Sequence, residues 1–339
     1  MKVIATMGAD VPLAEVAAHA RRVESLGYEA LSVPEAQHDG TLTSLLALEH
    51  TTRLRISTAV LVAFARSPML AAQAAWDLQG FSGGRFELGL GTQVKGNIVR
   101  RFGMPWSAPA ARLRDYIGAV RAVFDSFQNG VPLDYHSDAY TLDRLQPFFN
   151  PGPLECGPPS ILMGAIGPLM TRTAGEVADA MQTHPTNSEP RYLRDVTVPR
   201  INEGLQQAGR PGPVSLVAGP MIATGADAEA VAEERRKARE TLVFTLSTPA
   251  YWPALEHHGW LDVGHQLLEA TRAGRWQEMD AMVPDEVIDA FVPTATYDEI
   301  ADVVLEQYRG VADAILFPVP PDPANDDAAR RAIEALSDG

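Results

Sequence analysis

Residues 55–91 read RISTAVLVAFARSPMLAAQAAWDLQGFSGGRFELGLG, and the architecture can be worked out from this stretch. Arg55 to Val62 is a β-branched, apolar run of strand length. Pro68 to Gln79 has helical spacing with proline in its first turn, and Phe86 to Gly91 is another strand. A strand, a helix and a strand in that order form the crossover that joins parallel neighbours. Toward the N-terminus the alternation continues, with strands at Lys2 to Thr6 and Ala30 to Val33 and helices at Pro12 to Leu26 and Thr43 to His50. Toward the C-terminus come a helix at Pro109 to Phe127, a strand at Ser160 to Met163, a helix at Pro168 to Glu176 and a strand at Ala180 to Thr183. A helix at Glu189 to Ala208, a strand at Val214 to Ala223 and a helix at Asp227 to Leu246 follow. Thr296 to Arg309 is the next helix, Ala314 to Phe317 the eighth strand, and Asp327 to Leu336 a terminal helix. Two stretches break the rhythm: about 129–159, read as an insertion with a small hairpin, and about 248–293, read as short helices. The expected fold is α/β, a single (β/α)8 TIM barrel over residues 1–339 with insertions after the fourth and seventh β/α units.

The chain has 28 Lys and Arg against 43 Asp and Glu, a formal charge of −15. Such a surface repels phosphate backbones and anionic lipid, so neither nucleic acid nor membrane is an expected partner. The one cysteine, Cys156, permits no intrachain disulfide and no thiolate metal cage, and a cytoplasmic chain is expected. The N-terminal apolar stretch ends at Asp10 and Pro12, too soon for a signal peptide. The charge-dense segment Glu229 to Glu240 reads as a solvated helix face.

In a barrel the active site lies where strands end and helices begin. Gly164-Ala165-Ile166-Gly167-Pro168 joins a strand to a helix and can aim backbone amides at an anion, though a plain tight turn accounts for it equally. Gly89-Leu90-Gly91-Thr92-Gln93-Val94-Lys95-Gly96 matches neither the dinucleotide fingerprint nor a P-loop. Its glycines either let a flat ring approach or suit interior packing. His38 and His184 are the histidines at predicted loop mouths. His257 and His258 are adjacent and point apart, so no metal is expected. No G-x-S-x-G elbow or H-E-x-x-H pair supports a hydrolase.

Ala63 to Met69, Ala75 to Gln79, Ser82 to Lys95 and Arg100 to Ser107 together resemble the bacterial-luciferase-like oxidoreductase family, and within it a deazaflavin-dependent branch. The resemblance continues through Gly164 to Met170 and Ala174 to Asp179. It implies a barrel with a flavin or deazaflavin across its C-terminal mouth, coenzyme F420 first and FMN as the alternative. Carried over by position, it places Glu35 beside the ring system and Ala59, Val60 and Val62 in a bulged third strand behind the ring. That strand often holds a non-prolyl cis peptide. Thr92 and Asn97 would contact ring and tail, and Ala165, Ile166, Gly167, Leu169 and Met170 would form the phosphate turn. Ala36 stands where several relatives carry a catalytic histidine, and Val94 where sugar-phosphate enzymes carry glutamate. Both departures count against simple alcohol and sugar-phosphate oxidation.

The implied activity is hydride transfer between C5 of F420 and a carbonyl, imine or activated alkene of a small organic substrate. A reduced-FMN monooxygenase and a noncatalytic flavin-binding barrel are the alternatives. His184, then His38 oriented by Asp39, are the candidate proton donors, because Ala36 cannot serve. Phe64, Trp106, Phe148 and Phe149 are the candidate substrate walls. A homodimer or higher homo-oligomer is expected.

Overall fold

The computed structural model describes residues 1–339. Its barrel strands are β1 (Lys2–Thr6), β2 (Ala30–Val33), β3 (Arg55–Thr58), β4 (Phe86–Gly91), β5 (Ser160–Ala165), β6 (Ala180–Thr183), β7 (Ser215–Ala218) and β8 (Ala314–Leu316). All pair in parallel, β1 with both β2 and β8, and β3 with both β2 and β4, so the sheet closes on itself. Burial on both faces is why these strands read as apolar runs rather than alternating ones. The outer helices are α1 (Val16–Ser25), α2 (Gly40–Glu49), α3 (Pro68–Ser82), α4 (Pro109–Asn129), α5 (Pro168–Val177), α6 (190–208), α7 (Ile300–Tyr308) and α8 (Asp326–Asp338).

Two apolar layers hold the barrel. Between strands and helices lies the larger core, where Trp76 of α3 meets Phe124 and Phe127 of α4 with ring centroids 5.7 and 5.3 Å apart. Inside the barrel, Ile4, Ala30, Leu162, Ala180, Val217 and Ala314 form a compact plug, with Val60 and Leu316 packed on it. Truncating a buried aromatic such as Phe127 to alanine costs about 3–5 kcal/mol by the usual scale of such losses.

Several boundaries differ from expectation for local reasons. Helix α2 begins at Gly40 rather than Thr43, because the Asp39 carboxylate accepts from the Thr41 and Leu42 amides and caps it there. The third strand is interrupted: the Ala59–Val60 peptide is cis, and pairing resumes only at Leu61–Val62. The seventh strand stops at Ala218. Pro220 has no N–H to donate, and the Gly219 amide turns instead to the Thr183 and Ser188 hydroxyls at 3.0 and 3.1 Å. Ala223–Gly225 then pairs with Thr294–Thr296, outside the barrel.

The stretch around 129–159 carries the expected hairpin, Tyr135–His136 against Thr141–Leu142. The second insertion begins earlier than expected. Ala228–Leu246 is not the outer helix of the seventh unit; its Leu242, Val243 and Leu246 pack with Leu267, Ile288 and Phe291 in a separate cluster of 16 buried residues. Helix α7 completes the seventh unit, so the insertion lies between β7 and α7 rather than after the unit. No helix is long and apolar enough to cross a membrane.

Candidate active site

A cavity of about 330 Å³ opens at the C-terminal ends of β3 to β6. Six of the anticipated cofactor residues line it: Ala59 and Val60 from the break in β3, Thr92 after β4, Ala165 and Ile166 at the end of β5, and Met170 in the first turn of α5. Val60 is the key to its shape. A Cβ on Gly164 would stand 2.9 Å from Val60 Cγ1, and one on Gly91 would overlap Val60 Cγ2. A Cβ on Gly89 would overlap the Thr58 carbonyl. The glycines around Gly89 therefore serve interior packing, and the surface offered to a ring is made by Ala59 and Val60.

Glu35 lies beneath this break rather than in the cavity. One of its oxygens accepts from the Val62 amide at 2.6 Å and from Arg66 at 2.8 Å, and the other from Arg66 at 2.6 Å. Its carboxylate is thus committed to holding the end of the third strand, with Val62 buried beside it. Asn97 donates to Gln93 Oε1 at 3.1 Å and acts within the fourth loop. Gly167, with φ 80°, precedes Pro168 at the start of α5. The Leu169 and Met170 amides there find no acceptor within the chain, and no side chain caps the helix. Such an end favours an anion. An apolar slot leading to an open helix N-terminus suits a flat ring with a phosphorylated tail.

His184 lines the cavity beyond this slot. Its Nδ1 accepts from the Thr186 amide at 3.3 Å and pairs with the Thr186 hydroxyl at 2.9 Å. The local sequence makes a reciprocal cap, with the His184 amide donating to Asn187 Oδ1 at 2.8 Å. An occupied Nδ1 acceptor puts the ring proton of neutral imidazole on Nε2. Tyr251 stacks on the ring at 4.8 Å. Burial lowers the His184 pKa from 6.5 to about 4, so the near-neutral acid expected from its type is absent.

The other candidates lie elsewhere. His38 does not line this cavity, and Asp39 is occupied by the α2 cap and by Arg66 at 3.4 Å rather than orienting His38. Phe64 is fully buried, with Trp106 edge-on at 5.8 Å and Arg112 over its ring at 4.2 Å. That cluster is packing, not an open wall. Phe148 and Phe149 are 90% and 54% exposed. They lie beside Asn150, which bonds Ser126 near the C-terminal end of α4, at the end of the barrel opposite the cavity. None of the four aromatics lines the cavity. His257 and His258 go to different carboxylates, Asp195 at 3.2 Å and Glu189 at 2.7 Å.

Among the lining residues that were not anticipated as site residues are Gln93, Gln182 and Tyr251. Gln93 holds a left-handed backbone, φ 58°, with no local signal for it. Gln182 was legible, since it alternates with inward-facing Ala180 along β6. Tyr251 belongs to the insertion and reaches His184 only in the folded molecule.

An uncharacterized protein of Mycobacterium tuberculosis is 40% identical over 305 residues, covering 90% of this chain and 89% of that one. A 5,10-methylenetetrahydromethanopterin reductase of Archaeoglobus fulgidus is 25% identical over 328 residues, 92% of each chain. Among solved structures, the coenzyme F420 dependent tetrahydromethanopterin reductase of Methanopyrus kandleri superposes with a TM-score of 0.78 at 20% identity, over 99% of this chain and 98% of that one. The EDTA monooxygenase of Chelativorans sp. BNC1 gives 0.77 at 11% identity, over 100% and 93%. The sequence model of the luciferase-like monooxygenase family matches residues 2–314, and by that match, on a closed barrel with its cavity at the strand ends, the chain belongs to this family.

Proposed function

We propose that the chain is an oxidoreductase transferring a hydride between coenzyme F420 and a carbonyl, imine or activated alkene of a small organic molecule. The observation that carries this reading is the likeness, over 92% of the chain, to a reductase whose solved counterpart from another archaeon is F420 dependent. The bound deazaflavin supplies hydride exchange at C5. Ala59 and Val60 would back one face of the ring, and the Leu169 and Met170 amides would hold the phosphate. His184 stays neutral near pH 7 and presents its Nε2–H to a substrate oxygen on which negative charge develops. It thereby acts as a fixed hydrogen-bond donor rather than an imidazolium acid, and the proton that completes a reduction comes from water.

The runner-up is a reduced-FMN monooxygenase, favoured by the near-equal fold match to the EDTA enzyme. Fluorescence titration with oxidised F420 and with FMN separates the two. Saturable F420 binding is expected, and tight FMN binding without any F420 binding would pass the assignment to the monooxygenase. Turnover of His184→Ala should fall by about 10²-fold, with cofactor affinity retained.

A further inference from the structure

A second hollow of about 500 Å³ lies beside the first, over the ends of β1, β6, β7 and β8 and against the helix Ala228–Leu246. The two share Gln182, Thr183 and His184, so the His184 ring stands where they meet. Ile222, Leu316 and Pro318 supply an apolar wall. The opposite wall is polar: Glu234, Lys237 and Thr241 follow one another along a single face of the insertion helix. Lys237 Nζ lies 2.8 Å from Glu234 Oε1 and 3.8 Å from Glu233, so this wall offers an acceptor beside a donor without surplus positive charge. Glu233 lies outside the lining and is paired with Arg236 at 2.8 Å, so a carboxylate or phosphate placed there would meet Glu234 and Lys237 as a neutral pair. An uncharged amide satisfies donor and acceptor together.

We infer that this hollow binds the second reactant, and that Glu234 and Lys237 select an uncharged organic molecule whose apolar body carries a carboxamide or N-heterocyclic end. The inference rests on the proposed function for what fills the first cavity. It moves the substrate from the aromatic residues first considered to the strands on the far side of His184. The charge-dense segment read as a solvated face turns one edge into the site.

Benzamide, benzoate and benzamidine share one shape and differ in charge, and their binding to the F420-loaded protein can be followed by saturation-transfer NMR. Benzamide should bind best, and Glu234→Ala and Lys237→Met should each weaken it by about fivefold or more, the scale of a lost hydrogen bond. Thr241→Trp, at an exposed position, should fill the hollow and abolish benzamide binding while F420 affinity is unchanged; Ala238→Leu is a second filling variant. Benzoate or benzamidine binding as tightly as benzamide would overturn the ligand class. Benzamide binding that survives both filling variants would overturn the location. If the cofactor titration favours FMN, the same series on FMN-loaded protein still reads the hollow, so the two failures are distinguishable.

Discussion

His184 is where burial and chemistry meet most directly. Its folded pKa of about 4 lies below the unfolded value of 6.5, so as pH falls the unfolded chain takes up this proton first. The stability associated with a neutral His184 is complete above pH 6.5 and is lost as pH falls toward 4, by on the order of 3 kcal/mol. Urea unfolding across that window should show a shallower loss in His184→Asn than in the parent chain. The slope is reduced rather than abolished, because burial and then Arg22 also lower the His19 pKa. An identical slope would show that His184 is open to water in solution. Glu35 makes a second test at this scale. With Glu35 removed, Arg66 and the Val62 amide lose their shared acceptor, and Glu35→Ala should lower stability by about 3 kcal/mol. Cofactor affinity should fall with it, since the end of the third strand loses its anchor. Full affinity in the folded variant would mean that the strand end holds its shape without the carboxylate.

Among elements, the third strand depends on its neighbours for the shape it presents. Val60 fills the space left by Gly91 and Gly164, so Gly91→Ala should push Val60 out and destabilise the fold by about 1–3 kcal/mol, the usual scale of overpacking. Adding Val60→Ala should recover most of that loss, and the coupling is measured by a double-mutant cycle in urea. Strictly additive losses would show that the alanine is accommodated some other way. At the start of α5, Gly167→Val puts a β-branched residue at a left-handed backbone angle that valine resists, so the turn that aims the Leu169 and Met170 amides must shift. Cofactor binding should weaken by about 2 kcal/mol, with circular dichroism confirming that the barrel persists.

Across the whole molecule, the insertion after β7 is a separately packed body that is keyed into the barrel mouth. Tyr251 stacks on His184, and His258 reaches buried Glu189 at 2.7 Å while its ring stacks on Trp260. Glu189 also caps α6 through the Arg191 and Tyr192 amides, so the pair joins the insertion to the barrel at one carboxylate. His258→Ala should therefore raise hydrogen exchange across residues 253–272 and leave the barrel strands protected. A uniform rise over the whole chain would mean that insertion and barrel open as one unit.

Parallel strands buried on both faces and helices buried on one leave period and composition in the sequence, and that was enough to read the eight strands, their order and the hairpin near 135–142. Ala59, Val60, Thr92, Ala165, Ile166 and Met170 were named through the resemblance to the luciferase-like family, and these do lie around one cavity. Periodicity records that a helix has an apolar face and is silent on which layer receives it. The helix 228–246 thus looked like part of the barrel until its partners Leu267 and Phe291 were seen. Aromatic residues are equally ambiguous: Phe64 and Phe149 are alike in sequence, yet one is sealed in the core and the other faces solvent at the wrong end of the barrel. The ionisation of His184 was beyond local sequence altogether. It is set by water excluded at the barrel mouth, where a tyrosine brought in by the insertion covers the ring, and only the closed tertiary structure brings those two residues together.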